Sequence, residues 1–267
     1  MSPPLRSCFL GGLAVLVVVG AGCDSLASTS EASSPAAQSG DQPLQILLVT
    51  GGGWHDYDAQ KEILEDGLSA RMEAEFTIDH EAGADGSVLI SRHEDTAWAE
   101  EFDAVVYNTC FSEIQDEAWV NRLVGAHVAH QVPAVVLHCA LHSYNFQGVS
   151  PIWSMFAGVY TRRHQSQMPF TVEGLDEAHP VMAGIPIPWE TPAGELYEIL
   201  DVYPTATPLA HALGEDSGEY HVNVWVNNFA GVRVFGTTIG HHNETMEHET
   251  YLDLVASGLL WAVGRLE

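Results

Sequence analysis

Leu44-Gln-Ile-Leu-Leu-Val-Thr50 runs into Gly51-Gly52-Gly53-Trp54-His55-Asp56-Tyr57, and helical spacing follows over residues 58–72. The opening run is of strand length and mostly apolar, as a strand buried on both faces requires. The glycines mark a turn. Beyond it Ile63, Leu64, Leu68 and Met72 recur on one helical face, with Asp58 as the expected N-cap. Strand, glycine turn and helix in that order are the first unit of an α/β protein. The glycine spacing fits neither the dinucleotide fingerprint nor a phosphate loop, so no nucleotide cofactor is expected.

The same alternation continues downstream. Strands are expected over residues 74–80, 104–110 and 133–138, and helices around Trp98 and over 116–130, with Trp119, Leu123 and Val124 inward. Short strands alternating with helices predict a mostly parallel sheet. Later strands are expected at 207–211, 222–226 and 231–235, with Asn227-Asn228 as a hairpin turn. Phe235-Gly-Thr-Thr-Ile-Gly-His-His-Asn-Glu-Thr-Met246 reads as a strand delivering His241, His242 and Glu244 to its C-terminal end. A last helix then carries Leu252, Val255, Leu259 and Leu260. No internal repeat is visible.

Charge narrows the partners. The formal net charge is −27, with Lys+Arg 9 against Asp+Glu 36. Such a surface repels nucleic acid and anionic lipid, so neither is an expected partner. Arg6, the apolar run 9–19 and Gly20-Ala21-Gly22-Cys23 read as a bacterial lipoprotein leader, with Cys23 the lipidated residue. Residues 1–23 are thus the leader, 24–43 a Ser/Ala/Pro-rich tether and 44–267 the domain. The expected location is the exported face of the cell envelope, with the membrane engaged through the lipid alone. Two cysteines, Cys110 and Cys139, remain in the domain. Both end strand-like runs, and they are expected to be free thiols.

Polar side chains gather where strands end, which is where open α/β sheets place their sites. His55 follows the first strand, His138 and His142 the fourth, and His241 and His242 the last. Histidine titrates near neutrality and also binds metals, so these residues suit acid–base work or a divalent ion such as zinc or manganese. The metal candidates are His138, His142 and His241. The acid–base candidates are His55, His142, His241, His242 and Glu195. Arg163 and His164 form part of the one cationic cluster in an acidic chain and are candidates for gripping a ligand. Trp54, Tyr144 and Tyr197 are candidates for stacking on it. The bland reading of each is a loop residue, a core residue or a surface ion pair. Cys139 as a nucleophile is weakened by Leu137 and Leu141, where a sharp elbow wants small residues.

Taken in order, Thr50-Gly-Gly-Gly-Trp-His-Asp-Tyr57, His138-Cys-Ala-Leu-His-Ser-Tyr144, His164, Ala178-His-Pro180, Gly194-Glu-Leu-Tyr197 and Arg233-Val-Phe-Gly-Thr-Thr-Ile-Gly-His-His242 resemble the ThuA-like, or trehalose-utilisation, family. The resemblance spans residues 46–261. It implies a flavodoxin-like, class I glutamine amidotransferase-like three-layer α/β sandwich. It also implies a carbohydrate ligand, notably a keto-disaccharide. Amidotransferase relatives use a Cys-His-Glu triad, and Cys139 and His242-Asn243-Glu244 resemble parts of it without the flanking glycines. Three functions are compatible with these residues: a carbohydrate-active enzyme, a non-catalytic carbohydrate-binding lipoprotein, and a Cys139-dependent hydrolase. A homo-oligomer is compatible with the sequence.

Overall fold

A computed structural model describes residues 42–83, 85–144 and 151–267. The leader, Cys23 and the tether through residue 41 lie outside the described residues. Among the described residues no helix is long and apolar enough to cross a membrane.

The first half alternates strand and helix: β1 (Leu44–Gly52), α1 (Tyr57–Ser69), β2 (Ala74–Glu81), β3 (Ala104–Cys110), α2 (Glu117–His130), β4 (Ala134–Leu137) and α3 (Ile152–Ala157). The second half is richer in strands: β5 (Val159–Gln167), β6 (Thr171–Gly174), β7 (Trp189–Glu190), β8 (Glu195–Val202), β9 (Ala206–Leu213), β10 (Tyr220–Phe229) and β11 (Val232–Thr237). Helices α4 (Asn243–Met246) and α5 (Glu249–Ala262) close the chain.

Nine strands form one sheet in the order β2-β1-β3-β4-β11-β10-β9-β6-β7, while β5 and β8 pair apart from it. The pairings from β2 to β11 are all parallel. Beyond β11 they are antiparallel, so only β10 and β6 run against the rest. Alternate residues of the parallel strands serve opposite faces, as the pleat demands. Ile46, Leu48 and Val106 pack with Leu64 and Leu68 of α1 and Leu252, Val255 and Leu259 of α5. Leu47, Val49 and Val105 pack with Trp119 and Leu123 of α2 and Trp153 and Phe156 of α3. Helix, sheet and helix make the three layers.

Several local expectations shift. The α1 cap is Asp56, whose side chain accepts from the Ala59 amide at 3.3 Å. Asp58 instead meets His80 at 2.8 Å and Lys61 at 3.4 Å. Around Trp98 only a short 3₁₀ turn forms, Ala97–Glu100. Asn227 and Asn228 do not turn the chain. Asn227 lies buried within β10, its amide donating to Phe156 O at 2.8 Å and Met155 O at 3.0 Å. The turn falls at Ala230-Gly231, both at positive φ, as a tight two-residue hairpin requires. Cys110 and Cys139 are not free thiols. Adjacent parallel strands β3 and β4 bring their Cα atoms to 5.0 Å, and a disulfide joins them.

Candidate functional site

The order β2-β1-β3 reverses direction at β1, and α/β folds hold ligands outside the strand ends at such a switch. Strands β1, β3, β4 and β11 all end there. Gly52 lets β1 finish close against its neighbour: at φ +98°, a Cβ would stand 2.6 Å from Cys110 O. The next residues swing out, with Trp54 at φ 82° and 81% exposed. His55 turns inward. His138 follows β4 at φ 46°, in a 3₁₀ turn over His138–Leu141. Gly240, at φ +126°, bends the chain after β11 and presents His241. The β5–β8 ribbon covers this end of the sheet. Its register sets His164 opposite Tyr197 and Gln167 opposite Glu195.

Four side chains converge. His55 Nε2 lies 3.0 Å from His241 Nδ1, and His138 Nε2 lies 3.2 Å from the same atom. Glu195 Oε2 stands 3.2 Å from His241 Nδ1 and 3.4 Å from His138 Nε2. One ligand atom from each of the four lies within 4.8 Å of every other. Their outer partners fix the rings. His138 Nδ1 donates to Thr238 O at 2.7 Å, which leaves the lone pair on Nε2 facing the centre. His55 Nδ1 lies 3.3 Å from Gly53 O and 3.0 Å from the Tyr57 hydroxyl. A carbonyl only accepts, so Gly53 O selects the tautomer whose Nε2 lone pair also points inward. Gln60, fully buried on α1, donates to His241 O at 3.3 Å and accepts from Asn108 at 3.1 Å.

Burial drives the ring charges away. It lowers the His55 pKa to about 2, helped by the neighbouring His138 and His241. It lowers His138 too, against the pull of Glu195. For Glu195 burial acts upward, but the neighbouring His138 and His241 rings outweigh it and hold the carboxyl well below its usual range. Neutral imidazoles and an ionised carboxylate are the forms that bind metal. Lone pairs this close repel each other unless a proton or a cation sits between them.

The cluster floors a cavity of about 530 Å³. Trp54 and His55 line it on one side, Arg162, Arg163, His164 and Gln167 on another, with Tyr197, His142 and the disulfide as inner wall. His164 Nδ1 lies 2.9 Å from Gln165 O and 3.3 Å from Glu195 Oε1, so that nitrogen donates and Nε2 carries the lone pair. Arg163 is ion-paired with Glu198.

Not every expected residue joins the site. His142 lines the cavity but is stacked flat on Tyr197, ring centroids 4.4 Å apart, and is not among the four converging groups. In a 3₁₀ turn, residues four apart do not share a face as they do in an α-helix. His242 holds the N-cap position of α4 without a side-chain cap bond and lines a neighbouring cleft that shares Trp54, His55 and His241 with the cavity. Tyr144 cannot stack on a ligand: it is fully buried between Trp119, Trp153 and Phe111. Gln167, Tyr57 and Gln60 were missed by sequence reasoning. Gln167 donates to Glu195 Oε1 at 3.2 Å, and only the irregular β5–β8 register brings it there. Tyr57 sits two residues beyond His55, within the same glycine-rich motif, and nothing in that spacing reveals its role.

Comparisons with known proteins agree with this architecture. The family model described as ThuA, trehalose utilisation, matches residues 45–262. The chain is similar to a solved ThuA-like protein from Parabacteroides merdae, at 21% identity, TM-score 0.66, covering 84% of this chain and 92% of that one. A second, from Bacteroides uniformis, is 16% identical at TM-score 0.63, over 88% and 97% of the two chains. A protein from Thermoplasma acidophilum, described as part of a GMP synthase, is 11% identical at TM-score 0.50, over 82% and 96%. These likenesses establish the fold, a glutamine amidotransferase-like α/β sandwich, and leave the chemistry to the site. No curated protein matches the sequence. With a family model matched along nearly the whole described domain, the chain belongs to the ThuA, trehalose-utilisation, family.

Proposed function

We propose that this protein is a carbohydrate-active enzyme of the cell envelope, using His55, His138, His241 and Glu195 to hold a divalent ion, zinc or manganese, beneath a sugar-sized cavity. The observation that carries this reading is the convergence of three histidine nitrogens and one carboxylate oxygen within 4.8 Å, with two tautomers fixed by backbone carbonyls. An ion held there would polarise a sugar carbonyl as a Lewis acid. The chain's own groups do the rest. His164 Nε2 can take a proton from the carbon beside that carbonyl, its orientation fixed by Gln165 and Glu195. His142 stays neutral at pH 7, since burial lowers its pKa to about 3, and stiffens Tyr197. Trp54 offers an exposed ring at the rim for a sugar face. Family membership supports a carbohydrate substrate. The leader sequence and Cys23 support tethering outside the cytoplasm through lipid.

The test is metal content by mass spectrometry on untagged residues 41–267, with His55→Ala/His241→Ala as control, followed by product analysis with keto- and non-keto disaccharides. Near-stoichiometric metal, lost in the control, together with turnover of a keto-sugar, is expected. A metal-free protein that binds sugar by calorimetry without forming product would sink the enzyme reading in favour of a binding lipoprotein. Full activity in Cys139→Ala would exclude thiol hydrolysis.

A further inference from the structure

The cavity wall holds a second constellation outside the four-residue cluster. Cys110 ends β3, Cys139 follows β4, and His55 follows β1, so three adjacent parallel strands deliver them to one point. Their two sulfurs and a ring nitrogen of His55 lie within 4.8 Å of one another. Tyr57 packs on both cysteines while its hydroxyl meets His55 Nδ1 at 3.0 Å, so one aromatic ring orders all three groups. The disulfide lines the cavity, through which a small dithiol would approach it.

We propose that reduction of Cys110–Cys139 opens a second metal site, Cys110-Cys139-His55, selective for thiophilic divalent ions such as zinc and cadmium. Thiolates and imidazole are the donors such ions prefer, and three protein ligands leave a fourth position open. On a tetrahedral zinc, ligand atoms stand roughly 3.5–4 Å apart, given zinc–sulfur bonds of about 2.3 Å. The His55 nitrogen already lies within 4.8 Å of both sulfurs, and the sulfurs, bonded to each other in the oxidised form, move apart to that separation once the bond is broken. The chemistry balances. A dithiol attacks the disulfide, the S–S bond breaks, and the dithiol leaves as its own disulfide, having supplied two electrons and two protons. The incoming ion then displaces one proton from each thiol. His55 belongs to both constellations, so an ion on the sulfurs withdraws it from His138, His241 and Glu195. Thiol state would thereby decide which donor set holds metal; this exchange, unlike the thiol site itself, rests on the proposed histidine–glutamate metal site.

Cobalt(II) separates the two sites by spectrum. Untagged full-length protein is reduced with a dithiol, freed of it by anaerobic gel filtration, and titrated with cobalt(II) chloride beside the oxidised protein. Alkylation and peptide mapping confirm that Cys110 and Cys139 are reduced. The reduced protein is expected to develop an intense near-ultraviolet thiolate-to-cobalt charge-transfer band. The band should be missing from the oxidised protein, from Cys110→Ser/Cys139→Ser, and from reduced wild type alkylated before titration. That last sample keeps the native sequence should the double variant fold poorly. His55→Ala should weaken cobalt binding by the reduced form at least tenfold. Visible d–d bands alone in both redox states would overturn the thiol site and leave the histidine–glutamate site standing. A charge-transfer band on reduction with no cobalt held by the oxidised protein would uphold the thiol site and remove the other.

Discussion

Trp54 and His138 carry the site's backbone tension. Both are non-glycine residues at positive φ, 82° and 46°, a conformation that costs on the order of 1–3 kcal/mol and persists where surroundings enforce it. Nothing buries Trp54, so its ring contributes little to stability in return. Trp54→Gly relieves the backbone and removes the ring. Its melting temperature is expected to equal or exceed that of wild type, while sugar affinity falls roughly tenfold, about 1.4 kcal/mol. Calorimetry beside thermal unfolding checks the split; an unchanged affinity would remove Trp54 from the ligand surface. Glu195 is the complementary case. Its ionised carboxylate is the only negative charge among the four converging groups, and Glu195→Gln keeps size and most hydrogen bonding while removing that charge. Metal affinity should drop at least tenfold by chelator competition, with the far-ultraviolet dichroism spectrum unchanged, since ligand charge sets affinity for a divalent ion.

Among elements, the parallel strands were readable and the β5–β8 ribbon was not. Buried strands announce themselves by continuous apolar runs, and Ile46 to Val49, Val105 to Tyr107 and Val135 to Leu137 do so. Strand β5, Val159–Gln167, has an exposed polar centre and shifted pairing, so neither period nor alternation marks it. Glu195 and His164 were named from their chemistry, but their meeting, and the part played by Gln167, depend on that ribbon's register. His142 does not join His138 at the centre for a related reason: the segment is a 3₁₀ turn, in which residues four apart do not share a face. The cysteine pair was misread because their strands' adjacency lies in the sheet order rather than in either strand. Helix α1 gives the sharpest test at this scale. Its first residue, Tyr57, is buried and bonds His55 Nδ1 from behind. Tyr57→Phe keeps the packing and removes only the hydroxyl. Metal affinity should fall about 10–100-fold, as for other outer partners of ligating histidines. Thermal stability of the metal-free protein should change little.

Across the whole molecule, buried neutral histidines link folding to pH, and two of them lie far from the cavity. His93 packs among Trp98, Tyr107 and Trp119, and His127 bonds Val132 O at 2.7 Å and the Tyr107 hydroxyl at 2.8 Å. Burial lowers the His93 pKa to about 3 and the His127 pKa to about 4. In the unfolded chain each would titrate near 6.5. Above that value neither form is protonated and the two histidines cost nothing. Between about 6.5 and the folded value only the unfolded chain takes the proton, so stability falls as the pH falls. From pH 7 to pH 5 the loss is roughly 2 kcal/mol for each histidine. The metal-free protein should therefore melt markedly lower at pH 5 than at pH 7. His93 is the residue to change, because its ring nitrogens have no hydrogen-bond partner among the described residues, whereas His127 uses both of its own. His93→Phe preserves a ring against the two tryptophans and removes the titration. Its melting temperature at pH 7 should stay close to that of wild type, and its drop on going to pH 5 should shrink by several degrees. An identical drop in both proteins would mean that His93 takes its proton equally in the folded and the unfolded chain, and the acid sensitivity would then have to come from His127 and the cavity histidines His55, His138 and His142.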